Sequence, residues 1–124
     1  MSARRTKIYF DGGCRPNPGR MEIAVVVGGV ATIDRDAGTG SSMDAEWHAL
    51  IAALRMAQAG GLSDFVLLGD AAAVVAQANG KVVARGASTA HLATFRTLVG
   101  DGPRPRIRHI KRTQNLAGIA LARR

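Results

Sequence analysis

The sequence has one cysteine, Cys14, few aromatic residues and no long apolar run. A single cysteine cannot form an internal disulfide, and it excludes a metal site built from paired cysteines. The longest uninterrupted apolar runs fall far short of the roughly 20 residues that span a bilayer, so we expect a soluble protein. Too few apolar residues follow the basic N-terminus for a secretory signal, which favours a cytoplasmic location.

Acidic residues are also scarce. The chain has 9 Asp and Glu against 17 Lys and Arg, which gives a formal net charge of +8. Of the 17 basic residues, 14 are Arg, whose forked guanidinium suits phosphate better than the point charge of Lys. This balance favours a polyanionic partner such as nucleic acid, and the alternative is a charged surface that keeps the protein soluble.

The length limits the number of domains. With 124 residues, of which 47% are apolar, the chain can bury one core but hardly two. We therefore expect a single domain over residues 1–124, acting as a monomer without an obligate protein partner.

Hydrophobic periodicity and turn residues predict nine helices and strands. Three strands come first and most simply form an antiparallel meander. The most clearly patterned helix follows, with an apolar i, i+3, i+4, i+7 stripe between a serine-rich cap and a glycine pair. The predicted elements are strands at 7–12, 23–28 and 30–33, a helix at 44–59, a strand at 65–69, helices at 71–78 and 88–99, a strand at 103–111 and a helix at 113–123.

This order of elements predicts an α/β fold. Strands that alternate with helices return to the sheet through right-handed crossovers, which place parallel strands beside the initial meander. We expect a mixed sheet flanked by helices, with an active site at the strand ends.

Three of the acidic residues occupy positions that favour chemistry. Asp11 ends the first strand before two glycines, and Asp70 ends the most apolar strand. Glu46 lies in the first turn predicted for the long helix, where the helix dipole favours an anion. Individually, Glu46 is explained by the dipole and Asp70 by a helix cap. Together the three favour a cluster, because the two strands can be neighbours. Glu22, at the start of a strand, is expected to face water.

Carboxylates held together repel each other, so a cluster of three persists only with bound cations or with raised pKa values. Oxygen ligands without clustered His or Cys favour Mg²⁺ or Mn²⁺. Two such ions about 4 Å apart stabilise both the attacking and the leaving oxygen in phosphodiester hydrolysis. An acidic cluster on a basic protein therefore indicates a nuclease.

Several segments resemble the motifs of the type 1 ribonuclease H family. Ile8–Gly19 resembles the family's opening motif, and Ala45–Leu54 resembles the motif around its helix glutamate. Val66–Asp70 and Arg112–Asn115, followed by Leu121–Ala122, resemble the other two. These segments cover almost the whole chain in the family's order and spacing.

The resemblance implies a ribonuclease H-like, five-stranded mixed sheet and cleavage of the RNA strand of RNA/DNA hybrids, by water activated between two ions of Mg²⁺ or Mn²⁺. Asp11, Glu46 and Asp70 match three of the family's four metal-binding acids. The loop after Asp11 resembles a segment that contacts the RNA 2′-hydroxyls, the groups that distinguish RNA from DNA. The residues implied in hybrid binding are Gly12, Gly13, Cys14, Arg15, Asn17, Ser42 and Arg112. For Cys14, a small buried thiol is the alternative.

One departure from the family pattern bears on activity. The family's fourth acid falls at Ile119, and no acid follows Asp101. Asn115, one helical turn before Ile119, could contact a metal ion through its carbonyl oxygen and is included as a fourth candidate catalytic residue. The resemblance then implies a ribonuclease H with reduced activity, and the alternative is a hybrid-binding module that has lost cleavage.

Arginines alternate along the predicted last strand. Arg104, Arg106 and Arg108 would therefore lie on one side of it. They bind phosphate groups in one interpretation. In the other interpretation, their positive charges lie on an exposed sheet edge and deter pairing with another strand.

Overall fold

A computed structural model describes residues 5–123 of the chain. A 3₁₀ turn at Arg112–Gln114 precedes the last helix. The strands and helices, in chain order, are β1 (Thr6–Cys14), β2 (Gly19–Val27), β3 (Val30–Asp34), β4 (Thr39–Gly40), α1 (Ser42–Ala59), β5 (Phe65–Gly69), α2 (Ala72–Ala78), α3 (Ala87–Val99), β6 (Arg106–His109) and α4 (Leu116–Ala122). The α/β class is confirmed, with the two-residue strand β4 as an addition.

The sheet is mixed, as predicted. Its strand order is β3-β2-β1-β5-β6, and β4 pairs with β2 outside this path. The first three strands form an antiparallel meander, whereas β5 lies parallel to β1 and β6 parallel to β5. The pairing of β1 with β5 ends with Tyr9 opposite Leu68. Asp11 lies two residues after Tyr9, and Asp70 lies two residues after Leu68, so the fold brings both acids to the same edge of the sheet.

Helices cover both faces of the sheet. The helices α1, α2 and α3 pack on one face, over a core that includes Ile8 and Leu67. Helix α4 packs on the opposite face, where Ala117 and Leu121 contact Ala24 and its neighbours. Within residues 5–123, no helix combines the length and hydropathy that a membrane crossing requires.

The N-terminus of α1 is fixed by a capping box. The Ser41 hydroxyl accepts a hydrogen bond from the Asp44 amide at 3.1 Å, and the Asp44 carboxylate accepts one from the Ser41 amide at 2.9 Å. Such a cap contributes about 1 kcal/mol. Because the helix begins at Ser42, two residues earlier than predicted, Glu46 lies in its second turn. The prediction that Glu46 occupies the first turn was wrong, and the helix dipole does not account for this acid.

Two predicted boundaries were wrong for identifiable reasons. Gly12 and Gly13 do not end the first strand, because β2 supplies partners for both and the strand continues to Cys14. The terminal helix is not capped by Thr113. It begins at Leu116, since the side chain of Asn115 accepts a hydrogen bond from the Ala117 amide.

Candidate active site

Three carboxylates from three elements meet at one edge of the sheet. Asp11 lies on β1, Glu46 on α1, and Asp70 directly after β5. Each offers a carboxylate oxygen, and the three oxygens lie within 4.8 Å of one another. They are half-buried and line an open cleft of about 720 Å³. The structure therefore brings together the three acids that the sequence singled out.

Gly12 allows α1 to approach β1 closely enough for Glu46 to reach the cluster. The Gly12 amide donates a hydrogen bond to Glu46 Oε1. A Cβ atom at position 12 would overlap the backbone carbonyl of Ala45. Glycine is thus required here for space, and the freed amide orients the Glu46 carboxylate.

Proximity and burial shift the pKa values of the cluster. Burial, followed by the charge of Asp70, raises the pKa of Asp11 to about 6. Burial, followed by the charge of Asp11, raises the pKa of Glu46 to about 9. Both shifts have the same physical cause, because ionising a carboxyl here costs hydration and adds like-charge repulsion. A cation bound between the carboxylates would remove that repulsion.

Asn115 joins α4 to the cluster from a fully buried position. Its side-chain amide donates to the Phe10 carbonyl at 3.0 Å and to Asp70 Oδ2 at 3.2 Å. Its side-chain oxygen accepts from the Ala117 amide at 3.1 Å, which caps α4. The contact with Asp70 holds that carboxylate toward the cleft. The side-chain oxygen of Asn115, which was expected to face a metal ion, therefore caps the N-terminus of α4 instead.

Gly118 of α4 lies beside Asp11. A Cβ atom at position 118 would lie 3.3 Å from Asp11 Oδ2. Gly118, Leu121 and Ala122 line the cleft. Ile119, where the family pattern has its fourth acid, is 41% exposed and is not among the lining residues. Sequence spacing identified the missing acid but not the glycine that opens the space beside Asp11.

Six of the seven residues implied in hybrid binding line the cleft. They are Gly12, Gly13, Cys14, Arg15, Ser42 and Arg112. The seventh, Asn17, accepts a hydrogen bond from the Ser42 amide at 3.0 Å and so ties the loop after β1 to the start of α1. This places the loop and the helix together at the rim.

The thiol of Cys14 faces the protein rather than the cleft opening. Its Sγ lies 3.0 Å from the Pro16 carbonyl oxygen and 3.1 Å from that of Gly40, and the residue is buried. The side chain is a small buried thiol whose Sγ is already in contact with two carbonyl oxygens.

Glu22 is a cleft residue that sequence reasoning missed. It lines the cleft, and its carboxylate accepts a hydrogen bond from Arg35 at 3.2 Å. The same arginine donates to the carbonyls of Leu121 and Arg123 at the end of α4. Glu22 was expected to face water. Its side chain is 22% exposed and faces the open cleft, because Gly13 pairs with Glu22 and brings it to the site. The available signal was its two-residue spacing from Ala24, which pairs with Asp11.

Comparisons with known proteins show what the chain as a whole is similar to. A sequence model of the family described as reverse transcriptase-like matches residues 10–124. Among curated protein sequences, none matches the chain.

Solved structures resemble the chain over nearly its whole length. RNase H1 from the halophilic archaeon Halobacterium salinarum is 30% identical, with a TM-score of 0.83 over 95% of this chain and 94% of that one. LC11-RNase H1, solved in complex with an RNA/DNA hybrid, is 27% identical, with a TM-score of 0.83 over 94% and 93%. The N-terminal RNase H domain of a Mycobacterium tuberculosis protein, 23% identical with a TM-score of 0.81 over 97% of both chains, supports the fold alone.

Proposed function

Because the chain belongs to the type 1 ribonuclease H family, we propose that it is an endonuclease that hydrolyses the RNA strand of RNA/DNA hybrids by a two-metal mechanism. The observation that carries this proposal is the meeting of Asp11, Glu46 and Asp70 within 4.8 Å beside an open cleft. The hybrid bound to LC11-RNase H1 supports the substrate class.

The donor set fits hard divalent cations. Three carboxylates supply only oxygen ligands, and the raised pKa values of Asp11 and Glu46 reflect a repulsion that cations relieve. Asp11, Glu46 and Asp70 would hold the ions, Mg²⁺ or Mn²⁺. When bound, these ions activate water and stabilise the charge that develops on the phosphodiester oxygens.

The surrounding residues position the carboxylates and the substrate. The Gly12 amide orients Glu46, and the Asn115 side chain orients Asp70. We assign Asn115 as a positioning residue on this basis. Arg112 lines the cleft and places a positive charge where a scissile phosphate would approach.

Activity is expected to be weaker than that of a site with four acids. Ile119 contributes no charge, and the amide of Asn115 cannot replace one. Three carboxylates retain two divalent ions less firmly than four do, since each removed charge weakens the attraction.

The direct test replaces Asp70 by Asn, which keeps the shape of the side chain but removes its charge. We expect hybrid cleavage in Mg²⁺ to fall by at least about 100-fold, in line with losses when one group that stabilises transition-state charge is removed. Asp101→Asn, which changes an exposed loop residue, is the matched control. Unchanged turnover of a folded Asp70→Asn protein would refute the assignment.

The second candidate is a hybrid-binding module without cleavage, and the observation that favours it is the exposed Ile119 in place of an acid. A gel assay with labelled RNA/DNA hybrid, duplex RNA and duplex DNA, each in Mg²⁺ and Mn²⁺, separates the two. Salt-dependent binding of the hybrid with no product in either metal would establish the module. Cutting of duplex DNA would instead indicate a different nuclease specificity.

A further inference from the structure

On the sheet face that carries Asp11, the described helices make their main contacts over β1, β2 and β3 rather than over β5 and β6. Helix α4 contacts β1, β2 and β3 on that face. Tyr9 packs in the α4 cluster, whereas Ile8, Leu67 and Ile107 belong to the core under α1. Residues that alternate with these core positions on β5 and β6 therefore lie on the α4 face. Of these, Val66 and Leu68 are buried, whereas Arg106 and Arg108 are exposed.

Three cations lie on this part of the face or directly beside it, Arg106 and Arg108 on β6 and Lys7 on β1, and we call them the β6 basic patch. The register sets Lys7 beside Val66 and Val66 beside Arg106 in one row. The next row toward the cleft holds Tyr9, Leu68 and Arg108. All three cationic residues are exposed.

The patch leads directly to the carboxylate cluster. Asp11 and Asp70 follow two residues after Tyr9 and Leu68 on the same strands. At about 3.3 Å per residue, the Arg108 row lies ~7 Å from the carboxylate row and the Lys7–Arg106 row ~13 Å from it. Arg112, at the rim of the cleft, continues the positive charge to the site.

The charge of the patch is not neutralised by neighbouring acids. Among residues 5–123, no carboxylate lies within 4 Å of the charged groups of Lys7, Arg106 or Arg108. The acid at the foot of β5, Asp64, is paired with Arg5 at 3.1 Å. Uncompensated arginines on a rigid strand favour a phosphate ligand.

We propose that the β6 basic patch binds the phosphodiester backbone of the nucleic acid where it leaves the catalytic cleft over β5 and β6. This inference rests on the proposed function for the identity of the substrate and adds a surface outside the cleft. Arg104 is not part of the patch, because its guanidinium lies 3.5 Å from the Asn79 carbonyl oxygen in the segment after α2.

The test compares hybrid binding by two double variants in an Asp70→Asn background, so that the substrate is not consumed. The probe is a labelled RNA/DNA hybrid of about 20 base pairs, several times longer than the ~13 Å between the patch and the carboxylates. Arg106→Gln with Arg108→Gln removes two charges from the patch. Arg55→Gln with Arg96→Gln removes two exposed charges from α1 and α3, on the other side of the sheet.

We expect the patch variant to bind about tenfold more weakly at 0.1 M salt, and the slope of log Kd against log salt to fall by about 2, one for each lost phosphate contact. The α1–α3 control should retain both affinity and slope. Equal affinity and slope for the two double variants would overturn the proposal. The arginines would then serve only to deter pairing of the exposed sheet edge with another strand.

Two further measurements keep the outcome interpretable. Arg106→Lys with Arg108→Lys retains the charges and should recover most of the affinity. If the Gln variant also melts at a lower temperature than the control variant and the Lys variant restores neither melting temperature nor affinity, the guanidiniums act on the fold and the proposal fails. Hybrid cleavage by the unmodified protein tests the proposed function separately. If the unmodified protein cleaves no hybrid but the patch variant still binds the hybrid more weakly, the nuclease is rejected and the patch is retained.

Discussion

Asn115 links helix capping to the geometry of the site. The same buried side chain accepts from the Ala117 amide and donates to Asp70. Replacing it by Ala leaves buried polar groups without partners, which costs about 2 kcal/mol of the free energy of unfolding. Turnover should also fall, because Asp70 loses the donor that orients it.

Asn115→Ser separates these two effects. Serine is a good helix cap but is too short to reach Asp70. We expect urea unfolding to show recovery of most of the lost stability, with turnover still low. Full recovery of turnover by Asn115→Ser would mean that the contact with Asp70 is dispensable.

Gly118 is predicted to lower the stability of α4 and to favour activity by leaving room for the Asp11 carboxylate. Alanine at this position in α4 should raise the free energy of unfolding by up to ~1 kcal/mol, since glycine is a poor helix former. Its methyl group would lie 3.3 Å from Asp11 Oδ2 and displace the carboxylate by a few tenths of an ångström. We expect turnover to fall about tenfold, given how steeply rates depend on sub-ångström placement. Ala120→Gly is the control, and it should lower stability without this loss of rate.

At the scale of the element, α4 carries the position at which the family pattern has its fourth acid. Ile119 is 41% exposed, so Ile119→Asp should fold normally. Although Ile119 itself does not line the cleft, the substitution restores a carboxylate at the position of the family's fourth acid, and we expect turnover in Mg²⁺ to rise by about an order of magnitude through firmer ion binding. Ile119→Asn controls for loss of the apolar side chain. Equal rates for the Asp and Asn variants would show that position 119 does not face the ions.

The elements also show where sequence reasoning fails. The long helix α1 was predicted within two residues because its apolar stripe and its cap are local signals. The continuation of β1 through Gly12 and Gly13 was not predicted, because the partners are supplied by β2. Local propensity cannot report a hydrogen-bonding partner that lies about ten residues away and arrives only on folding.

At the scale of the whole molecule, the carboxylate cluster makes stability depend on pH and metal. Asp11 and Glu46 have pKa values of about 6 and 9 in the folded chain, above their ordinary values of 3.8 and 4.5. A carboxyl with a raised folded pKa contributes stability below its ordinary pKa and loses it as the pH rises through the folded value. The metal-free protein should therefore lose stability between about pH 4 and pH 9.

Thermal melting in EDTA checks this prediction. The free energy of unfolding should fall by at most about 1.4 kcal/mol per pH unit for each additional proton that the folded chain binds relative to the unfolded chain. Glu46→Gln removes one titrating group, so its melting temperature should exceed that of the unmodified protein by a margin that widens toward pH 9. Saturating Mg²⁺ should remove the margin. Asp101→Asn should follow the unmodified protein throughout, and a constant margin for Glu46→Gln would contradict the assigned repulsion.

The sequence by itself determined the class of fold, the basic character and the identity of the three acids, because periodicity, charge and motif spacing are all local properties of the chain. Only the tertiary structure decided what surrounds those acids. Glu22 enters the cleft through strand pairing, Gly118 faces Asp11 through the packing of α4, and Lys7 joins Arg106 through the order of the strands. Each depends on contacts between residues far apart in the chain, which exist only once the sheet has formed.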